Sequence, residues 1–114
     1  MSGIPSGNGT EVLKRKTKAT NNNAWFEILS GTNNHIYTIL SIIFVNRTSS
    51  SGVIEIQVND GSNDVTILGS TTVASNETFV WNDKFVMEED DDLDVYNGHT
   101  DGDWYVSYID QDWT

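Results

Sequence analysis

Ile36-Tyr-Thr-Ile-Leu-Ser-Ile-Ile-Phe-Val-Asn46 is the longest apolar run in the chain and the richest in β-branched and aromatic residues. Turn residues bracket it, Asn33-Asn34 before and Asn46 to Gly52 after, and with the β-branched content they make it a strand rather than a helix. Because side chains alternate across a strand, Ile36, Leu40, Ile42 and Phe44 share one face, and Tyr37, Ile39, Ile43 and Val45 share the other. Neither face suits water, so the strand is expected at the centre of a sheet, with both Ile43 and Phe44 buried. No catalytic or cofactor signature appears here or elsewhere in the sequence. Function therefore has to be argued from architecture, charge and surfaces.

On the N-terminal side, Ala24 to Leu29 reads as a strand with Trp25, Glu27 and Leu29 on one face and Phe26 and Ile28 on the other. Before it, Glu11-Val-Leu-Lys-Arg-Lys-Thr-Lys18 reads as an edge strand whose lysines discourage promiscuous pairing. Residues 1–10, rich in Gly, Ser and Asn and holding the single proline, read as a flexible arm ahead of one domain spanning residues 11–114. On the C-terminal side Val53 to Asn59 alternates cleanly, with Ile54, Ile56 and Val58 on the apolar face, and Asn59-Asp-Gly-Ser62 turns it into a return strand from Asp64 to Leu68. Glu77 to Trp81, Lys84 to Met87, Leu93 to Tyr96 and Trp104 to Ile109 complete the set. About eight to nine short strands with turn residues between them predict an all-β fold, an antiparallel β-sandwich of jelly-roll type without helices.

A chain of 114 residues holds one core. It has no cysteine, hence no disulfide and no thiolate metal site, and no apolar stretch long enough for a membrane helix. The N-terminus shows no basic and apolar regions of a secretory signal, so synthesis in the cytoplasm is expected. A net charge of -11 argues against a general affinity for nucleic acid. That charge is uneven. Lys14, Arg15, Lys16 and Lys18 face Glu11 alone in residues 1–20, whereas residues 83–112 hold eleven acidic groups against Lys84. Such a layout suits copies, or a partner surface, that meet in a fixed orientation.

Glu88-Glu-Asp-Asp-Asp92 opens a run with six carboxylates in residues 88–94, which repel one another unless a basic surface or a cation offsets them. Neither this run nor Asp60-Gly-Ser-Asn-Asp64 has the spaced ligands of a calcium loop, so no metal or cofactor is expected. His35 and His99 read as polar residues flanking turns, and the sequons at Asn8, Asn46 and Asn76 as chance matches in a chain rich in Asn and Thr. Four tryptophans and four tyrosines allow a sugar-stacking platform, against which core and subunit contacts are the plainer use. Trp113 differs from the rest because a large ring on a terminal segment needs a surface to dock on.

Taken together, Gly7-Asn-Gly-Thr-Glu-Val-Leu-Lys-Arg-Lys-Thr17, Tyr37-Thr-Ile-Leu-Ser-Ile-Ile-Phe-Val-Asn46, Glu77-Thr-Phe-Val-Trp-Asn82 and Tyr105-Val-Ser-Tyr-Ile-Asp110 resemble small β-sandwich structural proteins of tailed bacteriophages, closest in flavour to those of phages infecting marine cyanobacteria. Such proteins often carry a Pro-Ala-Gly turn after the Tyr-Thr pair, which is missing here, and a Gly-Asp turn where this chain has Glu88 to Asp92. The resemblance implies a virion structural protein without enzymatic activity. It would be a capsid decoration (cement) protein on the outer surface of the assembled head, held to the major capsid protein or other virion proteins as a homo-oligomer, a trimer. A tail, neck or fibre component and a carbohydrate-binding module are the alternatives. The partner-binding residues expected on that reading are Ile4 in the arm, Lys14, Arg15, Lys16 and Lys18, the acidic Glu88, Glu89, Asp90, Asp91 and Asp92, and Trp113.

Overall fold

The computed structural model describes residues 10–98 and 101–113. Within them the chain forms β1 (Thr10–Thr20), β2 (Ala24–Ser30), β3 (His35–Asn46), β4 (Gly52–Asn59), β5 (Asp64–Val73), β6 (Thr78–Trp81), β7 (Phe85–Met87), β8 (Asp92–Asn97) and β9 (Gly102–Asp112). The strands make two sheets, one in the order β1-β9-β3-β6, with β7 also paired to β3, and the other in the order β2-β8-β4-β5. Every strand pair is antiparallel. The result is the jelly-roll sandwich that the period-two alternation and turn spacing predict. Among the described residues no helix is long and apolar enough to cross a membrane.

The core lies between the inner faces, where Ile39, Ile42, Phe44, Trp104 and Val106 of one sheet meet Ile54, Ile56, Leu93 and Val95 of the other. Phe44 and Trp104 pack ring against ring with centroids 4.6 Å apart. Each side chain of this size contributes roughly 1.5–3 kcal/mol by leaving water, so these facing rows hold the sandwich together. At the turn after β4, Gly61 takes a φ of 94°, where a side chain would be strained, and the Asp60 carboxylate accepts the Asn63 and Ser62 N–H groups at 2.7 and 3.0 Å. The sequon residue Asn46 is buried. Its side-chain amide donates to the Ser50 and Val73 carbonyls at 2.9 and 3.1 Å, which ties together the loops at that end of the sandwich.

β3 is central, between β9 on one side and β6 and β7 on the other, but its faces are not those of simple alternation. Ile39 pairs with Tyr108 and Ser41 with Ser107, so Leu40 is one residue too many. That bulge exchanges the two faces midway along the strand. Tyr37 and Ile39 point inward before it, and Ile42, Phe44 and Asn46 after it. Ile43 therefore lies on the outer face, half-exposed between Tyr105 and Val80, and the expectation that it is buried like Phe44 is corrected. β2 repeats the pattern. Its register shifts between Glu27 and Leu29, so Ile28 and Leu29 are both buried instead of lying on opposite faces.

Candidate functional site

β9 carries Asp110 on its inner face close to the strand's end, where its side chain is 5% exposed. Two cationic or protonatable groups from distant parts of the chain reach it. Lys14 Nζ, from β1, donates to Oδ2 at 2.8 Å, and His35 Nδ1, at the start of β3, shares a hydrogen bond with Oδ1 at 2.7 Å. The other imidazole nitrogen lies 3.5 Å from Asp112 Oδ1, and the rings of Tyr37 and Tyr108 pack beside the cluster with centroids 5.1 Å apart. Burial pushes the Asp110 carboxyl up, but the bonds from Lys14 and His35 outweigh it and hold the group below the usual carboxylate range. The same bond, with the attraction of Asp110, raises Lys14.

The acidic run is a built turn, docked on the loop between β2 and β3. Glu88 N–H donates to Asp91 Oδ2 at 2.8 Å, and Gly31 N–H donates to the Asp91 carbonyl at 2.7 Å. Gly31 sits so close that a Cβ there would be 2.3 Å from the Glu88 carbonyl oxygen, so only glycine admits the contact. Asn34, at a φ of 63°, gives its N–H to Glu89 Oε2 at 3.2 Å and accepts the Trp113 N–H on its carbonyl at 2.9 Å. Residues 31–35 thus gather Lys14 (through His35 and Asp110), the acidic turn and Trp113 at one end of the molecule. Three expected partner segments that look unrelated in sequence are neighbours there. The Trp113 ring is half-buried, and its indole N–H is enclosed without a hydrogen-bond acceptor among the described residues. Ile4, His99 and all of the expected arm except Thr10, which opens β1, lie outside the described residues.

The other three cations expected to bind a partner, Arg15, Lys16 and Lys18, lie on β1, which is exposed from Thr10 to Ala19. Arg15 stands opposite Ser107 on the outer face, Lys16 opposite Val106 on the inner side, and Lys18 reaches over the Phe26 ring, 5.5 Å from its centroid. On the far side of the sandwich, the outer face of the second sheet carries a carboxylate cluster that sequence reasoning missed. The register aligns Glu27, Asp94, Gln57 and Thr66 in one row and Ser30, Asp92, Asn59 and Asp64 in the next. A hydrogen bond with the Asp92 carboxylate, and its charge, raise Glu27; burial, and the charges of Asp92 and Asp64, raise Asp94. A third row pairs Trp25 with Tyr96, ring centroids 5.3 Å apart, beside Glu55. Only the strand register could have revealed this grouping, since its members come from four strands.

The outer face of the first sheet carries two largely apolar rows, with the polar row of Arg15, Ser107 and Ser41 between them. Leu13, Ile109, Thr38 and Val86 form one such row, ending on β7, and Thr17, Tyr105, Ile43 and Val80 form another, ending on β6. A shallow hollow of about 230 Å³ lies near the far end of this face, against Ala19, Ile43, Val45, Asp103 and Tyr105. Among the described residues no group of three or more His, Asp or Glu side chains is arranged to hold a metal ion. The chemistry on offer is that of contact: an apolar sheet face, a basic edge, an acidic turn and an acidic opposite face.

No protein-family model matches the chain, and no curated protein sequence matches it. Solved structures resemble its fold. The chain superposes on a pilus protein of Bacillus endospore appendages with a TM-score of 0.58 and 16% identity, over 100% of this chain and 98% of that one. It superposes on a protein of the IBDV particle with a TM-score of 0.56 and 6% identity, over 95% of this chain and 32% of that one. The likeness to both is one of fold, and this chain spans about a third of the viral protein's length.

Proposed function

We propose that the chain is a non-enzymatic structural protein of a bacteriophage virion, a decoration or cement protein that docks as a homotrimer on the major capsid protein at the outer surface of the assembled head. The observation that carries this reading is a surface suited to being covered. Leu13 is 71% exposed, Val86 55%, Val80 53% and Tyr105 40%, all on one face of a small domain, where scattered single residues would be the ordinary pattern. The fold gives support of a second kind, since the two similar structures belong to a pilus and to a virus particle, both repetitive assemblies. A symmetry-averaged map of the particle tests the assignment. Density for the chain repeating with the shell is the expected result; density at a single vertex makes it a tail, neck or fibre part.

One observation favours a second reading, a carbohydrate-binding face on the opposite sheet. Trp25 is 44% exposed beside Tyr96, and Glu55, Gln57 and Glu27 stand in the adjoining positions. An aromatic plane next to carboxylates and an amide is chemistry that stacks and hydrogen-bonds a sugar. Binding of the parent on a glycan array, abolished by Trp25→Ala, supports that reading, and an array without signal removes it.

A further inference from the structure

We infer that copies of this chain join head to tail by continuing one sheet, the β1 edge of one copy pairing antiparallel with the β6 and β7 edge of the next. The inference rests on the reading that the chain assembles with itself, and it names the surfaces that meet. Among the described residues five strands form the four edges of the two sheets, β6 and β7 sharing one, and the edges are not equivalent. β2 is bulged between Glu27 and Leu29, and β5 shifts register twice against β4. Bulges blunt an edge against pairing. β1 runs eleven residues along β9 without a shift and is exposed along nearly all of its length, so it presents an open template of backbone donors and acceptors.

That template does not suit a second β1. A two-fold pairing would set Lys14, Arg15, Lys16 and Lys18 against the same four cations, and like charges placed opposite each other destabilise a sheet. The other edge of the same sheet fits in direction and charge. β6 and β7 together run from Thr78 to Met87, about the span of β1, and residues 82–84, unpaired between them, bulge out of the ladder. β1 is antiparallel to β9, β9 to β3, and β3 to β6 and β7, so the two edges point in opposite directions. A second copy in the same orientation therefore offers β1 antiparallel to β6 and β7 with no flip, which is a heterologous interface. Glu77, Asp83 and Glu88 flank or interrupt that edge, against Lys84. Extending the existing rows brings Leu13 of the next copy beside Val86, Thr17 beside Val80, and Arg15 beside the segment that holds Asp83. The contact would cover the three most exposed large apolar side chains of the outer face while its backbone bonds supply the pairing.

The chain contains no cysteine, so thiols can be placed at will. Leu13→Cys and Val86→Cys are made separately, and the proteins are treated with a short bis-maleimide alone and as an equal mixture. The expected result is a cross-linked dimer in the mixture and none in either variant alone, with the double variant giving higher multiples. Replacing Arg15 by Glu should lower the yield about threefold, the scale of one exposed ion pair, and Asp83→Arg in the facing copy should restore it. Leu13→Cys linking to itself as well as to Val86→Cys would overturn the inference in favour of a two-fold contact. A mixture that does not cross-link, although light scattering of the parent shows a multimer, would also overturn it and leave self-assembly standing. A monomeric parent would overturn both. Products of the double variant that stop at three chains show the head-to-tail contact closing into a trimer, whereas a longer ladder shows the same contact running on as an open array and removes the trimer.

Discussion

Asp110 and Glu27 respond to protons in opposite directions, and each can be tested by one substitution. The folded Asp110 carboxyl lies below its ordinary value, so its contribution to stability is complete above the unfolded value of about 3.9 and is lost as pH falls through the folded one. Asp110→Asn leaves Lys14 and His35 without their shared acceptor, and should cost about 2 kcal/mol in urea titrations at pH 7, the gap narrowing below about pH 4. Glu27 and Asp94 are raised instead, so their contribution is complete below the unfolded values near about 4 and is lost as pH rises through the folded ones. Glu27→Gln should therefore be more stable than the parent at neutral pH and indistinguishable from it in acid. Equal stability at neutral pH would mean that the carboxylates on that sheet face do not repel one another. Gly31 makes a purely steric prediction. With the Glu88 carbonyl oxygen 2.3 Å from where its Cβ would stand, Gly31→Ala should lower stability by about 1–3 kcal/mol, and an unchanged melting temperature would show that the acidic turn is not docked there.

At the level of the strands, one bulge decides which side chains are core. Because Leu40 is the extra residue in β3, Phe44 is fully buried against Trp104 while its neighbour Ile43 is half-exposed. Phe44→Ala should cost about 3–5 kcal/mol and Ile43→Ala about 1 kcal/mol in the isolated protein. Equal costs would place both residues in the core and cancel the bulge. The strands were legible in the sequence, all nine of them, because period-two alternation and Asn, Asp and Gly turns are local signals, and the β4 and β9 faces follow simple alternation. The bulges at Leu40 and Ile28 were not legible. An extra residue is specified by the partner strand's register, and Leu and Ile leave no compositional mark of it. The end cluster was hidden for a related reason. Lys14 and Asp110 are 96 positions apart, and only the β1–β9 pairing sets them side by side. The acidic run and Trp113 were visible as unusual residues, but their common anchor, residues 31–35, reads as an ordinary turn.

For the molecule as a whole, net charge decides when copies can meet. Two bodies of charge -11 with centres separated by the 28 Å intermediate dimension of the molecule repel by roughly 18 kcal/mol in pure water. Screening reduces that to roughly 7 kcal/mol at 0.01 M salt and to below about 1 kcal/mol at 0.15 M, taking Debye lengths of about 30 and 8 Å. The attractive contacts are short-ranged. Ion pairs between β1 and the acidic flank of β7 add at most ~1 kcal/mol each, and the burial of Leu13, Val80 and Val86 hardly depends on salt. Repulsion therefore wins in dilute buffer, and apolar and backbone contacts win near physiological ionic strength. Self-association measured by sedimentation should strengthen as salt is raised from 0.01 to about 0.15 M, and level off beyond that once the Debye length falls below the separation of the charged faces. Leu13→Ser should weaken the associated form more than neutralising Arg15 and Lys16 together. Association that is tightest in dilute buffer and fades as salt is added would mean that Lys14, Arg15, Lys16 and Lys18 act as an electrostatic clamp on the acidic turn or the acidic sheet face of a neighbour, and the apolar sheet face would then need another partner.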